Sequence, residues 1–205
     1  MGPTAGASAS GAAPAATMNP HLAAAEPFEA LAEQAFDATP AVLGDLQSQA
    51  AAKVSVVRGA LTPVDAKRID ATMADIGAAV TRRDRAAIAL ASLEAYQVLV
   101  SGQDPRTIKV PIDVSLLDYA GFKSAALLKG GAPNWPAVAA DVAYARAHWT
   151  QLSGQVTSPS LKAAFEESLK GMEAGSAQKN LPLAQHATAT ELSLVDLLEE
   201  YFDRR

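Results

Sequence analysis

Residues 40–63, PAVLGDLQSQAAAKVSVVRGALTP, and residues 136–159, PAVAADVAYARAHWTQLSGQVTSP, decide the reading of the fold. They are one pattern written twice at a constant offset of 96 residues (136 − 40). Pro40-Ala41-Val42 returns as Pro136-Ala137-Val138, Asp45-Leu46 as Asp141-Val142, and Thr62-Pro63 as Ser158-Pro159. Further along, the apolar quartet Ile69, Met73, Ile76, Val80 lines up with Phe165, Leu169, Met172, Ser176. Steps of four, three and four place each quartet on one face of a helix. A unit recurring at fixed spacing predicts fused helical modules, here two tandem pseudo-repeats of about four helices each.

Working outward, each helix start is written in the same chemistry. Thr39-Pro40, Thr62-Pro63, Asn134-Trp135-Pro136 and Ser158-Pro159 each pair a capping side chain with a proline in the first turn, where its fixed φ suits the helix. The expected helices run from about His21 to Asp37, interrupted early by Pro27, then Pro40–Ala60, Pro63–Arg83 and Arg85–Ser101. Asp84 caps the fourth of these, and Gly102-Gln103-Asp104-Pro105 stops it. After a linker over 104–111, in which Ile108-Lys109-Val110 is expected to be briefly extended, the second set begins near Pro111 and reaches Gly130-Gly131. Helices over 136–156, 159 to about 175 and about 181–202 complete it. The expected buried stripes are Val42, Leu46, Ala50, Val54, Val57, Leu61 in one copy and Val138, Val142, Ala145, Trp149, Leu152, Val156 in the other. On the last helix the expected stripe is Leu183, Ala187, Thr190, Leu194, Leu197, Tyr201. The predicted architecture is therefore all-α: a leader (1–20), a first bundle repeat (21–103), a linker (104–111) and a second repeat (112–205).

Composition narrows the function classes. Residues 1–104 carry 11 acids and 7 bases, and the remainder 11 acids and 10 bases, so no basic stripe exists to neutralise phosphates and nucleic acid is excluded as an expected partner. The chain has no cysteine, which removes disulfides, thiolate metal sites, thiol nucleophiles and covalently attached haem. Apolar runs such as Val54-Ser55-Val56-Val57 fall far short of the roughly 18 residues that span a bilayer. The Gly/Ala/Ser/Thr/Pro leader reads as a flexible segment without the charged and hydrophobic parts of an intact signal peptide. A small-residue leader ahead of a helical body favours an exported, periplasmic setting over a cytosolic one.

No serine-hydrolase elbow, P-loop, dinucleotide fingerprint or Glu-x-x-His pair is present, so the chain is not expected to be an enzyme and no cofactor is implied. His148 and His186 flank the expected stripes. Along parallel helices they sit about 18 Å and about 8 Å from the respective starts, too far apart in height to share one ion. Glu94, between Ala91 and Val98, is the carboxylate placed on a seam, where it needs a partner or a raised pKa. Asp118 and Tyr119, in the Asp118-Tyr119-Ala120-Gly121-Phe122-Lys123 segment, join it as candidate ligand-binding residues at the meeting of the halves. Met18 and His21 form a candidate soft-metal pair at the end of the leader.

From Ser158 onward the chain resembles the second half of the soluble periplasmic four-helix-bundle cytochromes of b type. The likeness lies in a helix ending near Gly175, a short polar link, and an Ala-rich helix that contains Ala184-Gln185 and ends in the aromatic Phe202. In that family a histidine near the end of the last helix ligates haem. Glu199 falls at that place here, so the resemblance implies the bundle and the exported setting without the haem. The expected function is an exported, non-enzymatic bundle that binds a small ligand, a metal ion or a protein partner, possible roles lying in metal or envelope homeostasis. The alternatives are a protein scaffold or homodimerisation module and a carboxylate/histidine metal-binding bundle.

Overall fold

The computed structural model describes residues 19–129 and 132–205. Met18, the rest of the expected leader before it, and the Gly130-Gly131 stop lie outside the described residues. Eight helices follow one another: α1 (Pro20–Gln34), α2 (Pro40–Val57), α3 (Pro63–Arg82), α4 (Arg85–Ser101), α5 (Ile112–Lys129), α6 (Trp135–Leu152), α7 (Pro159–Ala177) and α8 (Leu181–Asp203). Single 3₁₀ turns, Arg58–Ala60 and Ser153–Gln155, follow α2 and α6, and no strand occurs among the described residues.

The caps explain the boundaries. Thr39 Oγ1 accepts from the Val42 N–H, Thr62 Oγ1 from Asp65, Asp84 from Ala87, Asn134 from Ala137, Ser158 from Leu161 and Asn180 from Leu183. Each satisfies one of the free N–H groups that open a helix. The α3–α4 and α7–α8 turns close in the same way. Arg83 (φ 57°) and Lys179 (φ 53°), 96 residues apart, take the left-handed conformation that usually goes to glycine.

Packing follows two closed circuits. The helix α1 lies against α2 and α4, and α3 against α4; α5 lies against α6 and α8, and α7 against α8. The circuits meet chiefly where α4 packs on α5, with α1 touching α5 lightly. Two cores result. One is built from α1–α4 around Phe28, Leu31, Ile69, Ile76, Leu93 and Leu99. The other centres on Trp149, Leu152, Phe165 and Leu169, with the Trp149 and Phe165 rings stacked at 4.3 Å between centroids. The helix α5 belongs to both, because Leu116, Tyr119 and Ala126 enter the first core while Val114, Leu117, Ala120 and Leu128 enter the second. Every residue from Val114 to Gly121 is buried.

Four sequence expectations change. Pro27 does not interrupt α1; it sits buried within it. Its ring fits helical φ but removes one backbone hydrogen bond and crowds the carbonyl one turn back, so the helix continues through it at a cost. Val42 is 39% exposed and Leu43 takes its place inside, so the α2 stripe is rotated at its start. The α8 stripe is displaced in part: the expected Ala187 and Leu194 are buried, but they are joined by Ala184, Thr188, Glu191, Val195, Leu198 and Phe202, while Leu197 is 48% exposed. No strand forms over Ile108–Val110, where Lys109 and Val110 are bends.

Candidate functional site

The sequence candidates meet on the α4–α5 contact but take different partners there: consecutive residues on a helix point about 100° apart, and Tyr119 bonds to Glu94 while Asp118 bonds to Tyr96. Tyr119 turns to α4, where its hydroxyl donates to Glu94 Oε1 at 3.0 Å. Lys123, one turn on, donates from Nζ to the same oxygen at 2.8 Å and to the Tyr119 hydroxyl at 2.6 Å. Glu94 thus has a cation partner that α5 supplies across the junction. Burial would lower the Lys123 ammonium, yet the bonds to Glu94 and Tyr119 outweigh it and hold the group above its ordinary range. The neighbouring Tyr144 stands edge-on to Tyr119 and accepts from Gln97 Nε2 at 3.1 Å. Each of these side chains has at least one partner, and the cluster bridges the two circuits.

Asp118 lies deeper on the same α4–α5 contact and is 7% exposed. Its Oδ2 accepts from the buried Tyr96 hydroxyl at 3.2 Å. Burial pushes its carboxyl well above the usual carboxylate range; Glu29 and Glu199 push further, and the Tyr96 bond opposes them. Glu29, on α1, is raised to about 7 by burial and then by Glu33, Glu199, Glu26 and Asp196. These acids border a groove between α1 and α8 that is floored by α5. Among the described residues none of Glu26, Glu29, Glu33, Asp196 and Glu199 forms a salt bridge, although Lys109 and Lys129 stand at the two ends of the groove.

The groove opens into a cavity at each end. The smaller, about 230 Å³, lies over Phe36, Phe122 and Leu192. The larger, about 490 Å³, is enclosed by the start of α1, the 104–111 linker, the start of α5 and the end of α8. Leu22, Ile108 and Val110 form its apolar wall, and Glu199, Glu200 and Asp203 its acidic rim. Two polar side chains on its surface, Ser115 and Gln103, are each only 7% exposed. The Gln103 amide donates from Nε2 to the Val100 carbonyl at 3.1 Å, which fixes Oε1 as its free end. Neither that oxygen nor the Ser115 hydroxyl has a hydrogen-bond partner among the described residues. Sequence reading missed both because single polar residues at a helix end look solvated.

A third acidic position was hidden in the sequence. Glu191 is fully buried on α8, and neither carboxylate oxygen has a partner. It fits because α5 carries Gly121 opposite: a Cβ there would fall 2.3 Å from Glu191 Oε2 and 2.5 Å from the Leu192 side chain. Burial pushes the Glu191 carboxyl well up, with Asp118 and Asp141 adding to it. Asp141 on α6 accepts from the Ser124 hydroxyl at 2.5 Å and is raised to about 7, again chiefly by burial. The signal that would have found Glu191 is the alternative α8 stripe, which steps through 184, 187, 191, 194 and 198.

Of the histidines, His148 Nδ1 lies 2.8 Å from Asp113 Oδ1, and His186 is exposed. His21 packs over Gly102, where a Cβ would stand 3.0 Å from its Nδ1, an atom without a partner. Its expected mate Met18 lies outside the described residues. Among the described residues no three His, Asp or Glu side chains gather as a metal site would require, and no helix is long and apolar enough to cross a membrane. Comparison of the chain with protein-family models, curated proteins and solved structures finds no match.

Proposed function

We propose that this chain is a non-enzymatic, exported binding protein whose site is the 490 Å³ cavity where its two halves meet. The observation that carries this reading is the pair Ser115 and Gln103, largely buried polar residues that line a partly open cavity and offer it polar groups not bonded within the protein. A concave apolar wall with a few polar groups set into it is the usual form of a small-ligand site. The halves are read as tandem copies of one four-helix unit, supported by the 96-residue offset, the matching order of helix contacts and the paired left-handed turns at Arg83 and Lys179. The exported setting rests on the leader composition and on the resemblance of the last 45 or so residues to the periplasmic b-type bundle cytochromes.

The test is a thermal-shift screen of the full chain against a metabolite library, repeated on Ser115→Leu, which removes the hydroxyl and projects a branched apolar side chain into the cavity. A compound that raises Tm in the parent and not in the variant supports the site, since a ligand of the folded state stabilises it by mass action. A library that shifts neither protein, or both equally, removes it. One observation favours a scaffold or dimerisation role instead: Val56 and Val64, at 77% and 69% exposure, stand out on the α2–α3 side. Sedimentation of the parent against Val56→Lys/Val64→Lys decides that reading.

A further inference from the structure

We infer that the junction site takes a linear aliphatic polyamine, an inference that rests on the binding role proposed above for the same cavity. The argument is one of donor and acceptor count. Gln103 has already spent its amide N–H on the Val100 carbonyl and offers the cavity only an acceptor. The Ser115 hydroxyl can accept as well, and the rim contributes the carboxylates of Glu199, Glu200 and Asp203. The single cation at the rim, Lys109, is occupied with Asp203, 3.8 Å from its Oδ1 and donating to its main-chain oxygen at 3.3 Å. A wall so rich in acceptors suits a guest made of N–H donors and repels an anion.

Shape separates the possible cations. A metal ion needs ligands that converge, and no three carboxylates do so among the described residues. The acids are instead strung out along the groove. From Asp203 at the rim to Asp196 is seven residues of α8, about 10 Å. Beyond the cavity, Asp196 stands near enough to Glu29 of α1 and the buried Asp118 for its charge to act on both. The cavity itself pairs the apolar Leu22, Ile108 and Val110 with the acids Glu199, Glu200 and Asp203. A chain of methylenes with an ammonium at each end satisfies both features: the stem lies on the apolar wall and the heads reach the separated acids. A four-carbon diamine spans part of the run, and a triamine of the spermidine kind spans all of it.

The test is titration calorimetry of the full chain, in low-salt buffer at pH 7.5, with spermidine, putrescine, butylamine and magnesium chloride as the probes. Spermidine should bind one to one, about tenfold or more tighter than putrescine and butylamine, because the second head gains its own acids. Glu29→Gln and Glu199→Gln should each weaken it by about tenfold, and the exposed Asp75→Asn should leave it unchanged. Circular dichroism of each variant checks that the fold is kept. If magnesium matches spermidine, or Asp75→Asn weakens binding as much as Glu29→Gln, the attraction is a diffuse ion atmosphere and the inference is overturned. If spermidine fails while another library compound still depends on Ser115, the polyamine assignment falls and the cavity stands. If nothing depends on Ser115, both fall.

Discussion

Residue 95 is a buried alanine in the first core, and residue 191, at the 96-residue offset, is a buried glutamate in the second. Gly121 of α5 stands opposite Glu191, and the residue 96 positions before it is the buried Ala25. The second core therefore carries a desolvated, unpartnered carboxyl at a position where the first has an alanine. Packing alone would not select that exchange, because an apolar side chain of the same size fills the space without the cost of burying a carboxyl. The α1–α4 core and the α5–α8 core thus differ in electrostatics.

The comparison is broken most severely by moving the acid into the wrong half. Ala95→Glu forces a carboxylate into a fully buried alanine site of the first core, and should cost on the order of 5 kcal/mol, enough to leave the chain unfolded or molten by near-ultraviolet circular dichroism. A well-folded Ala95→Glu variant would mean that the first core has room that its burial does not suggest. Next in size is Phe165→Ala, which removes the ring stacked on Trp149 and should destabilise by about 3–5 kcal/mol in urea unfolding. A loss under about 1 kcal/mol would show that the second core does not hinge on that stack.

A smaller effect, with a pH signature, comes from Glu191→Met. Glu191, Asp141 and Glu29 all have folded-state pKa values raised above those of the unfolded chain, the latter two to about 7. The folded protein therefore holds more protons than the unfolded one. Stability from these groups is fully present below their ordinary values, 3.8 for Asp141 and 4.5 for Glu29, and is lost as pH rises toward about 7. The parent should melt at a lower temperature at pH 8 than at pH 5. Glu191→Met should stabilise the protein by about 1–3 kcal/mol at pH 8 and by clearly less at pH 5. A parent whose Tm rises from pH 5 to pH 8 runs against this account. Smallest is Glu94→Gln: its pair with Lys123 is partly exposed, so the change should cost no more than about 1 kcal/mol.

The fold was legible because its punctuation is chemical. Thr39-Pro40, Thr62-Pro63 and Ser158-Pro159 can hardly be read as anything but helix starts, and the offset between them gave the order of elements. The rotation of each helix was less legible. On α8 the steps 183, 187, 190, 194, 197 and the steps 184, 187, 191, 194, 198 both alternate threes and fours. Periodicity alone therefore could not prefer Leu198 over Leu197, and choosing the wrong stripe put Glu191 on the surface. Of the candidate site, Glu94 and Tyr119 were found but not the Lys123 that closes them into an ion pair, although its place four residues after Tyr119 puts it on the same face. The cavity at Ser115 and Gln103 was beyond reach, since it exists only where four separate segments converge.

The helix α5 gives one side to each core, and this has a consequence for the order in which the chain can acquire structure. As the polypeptide is synthesised, the first four helices are complete by Ser101. Their core still lacks Leu116, Tyr119 and Ala126, which arrive only with the next helix. Once made, that helix leaves Val114, Leu117 and Leu128 uncovered until α6 and α8 follow. Neither half has a finished interior of its own at any point along the chain. A nascent chain cut short before Asp203 presents apolar surface to whatever chaperone or translocation machinery is holding it, and folding waits for the last helix.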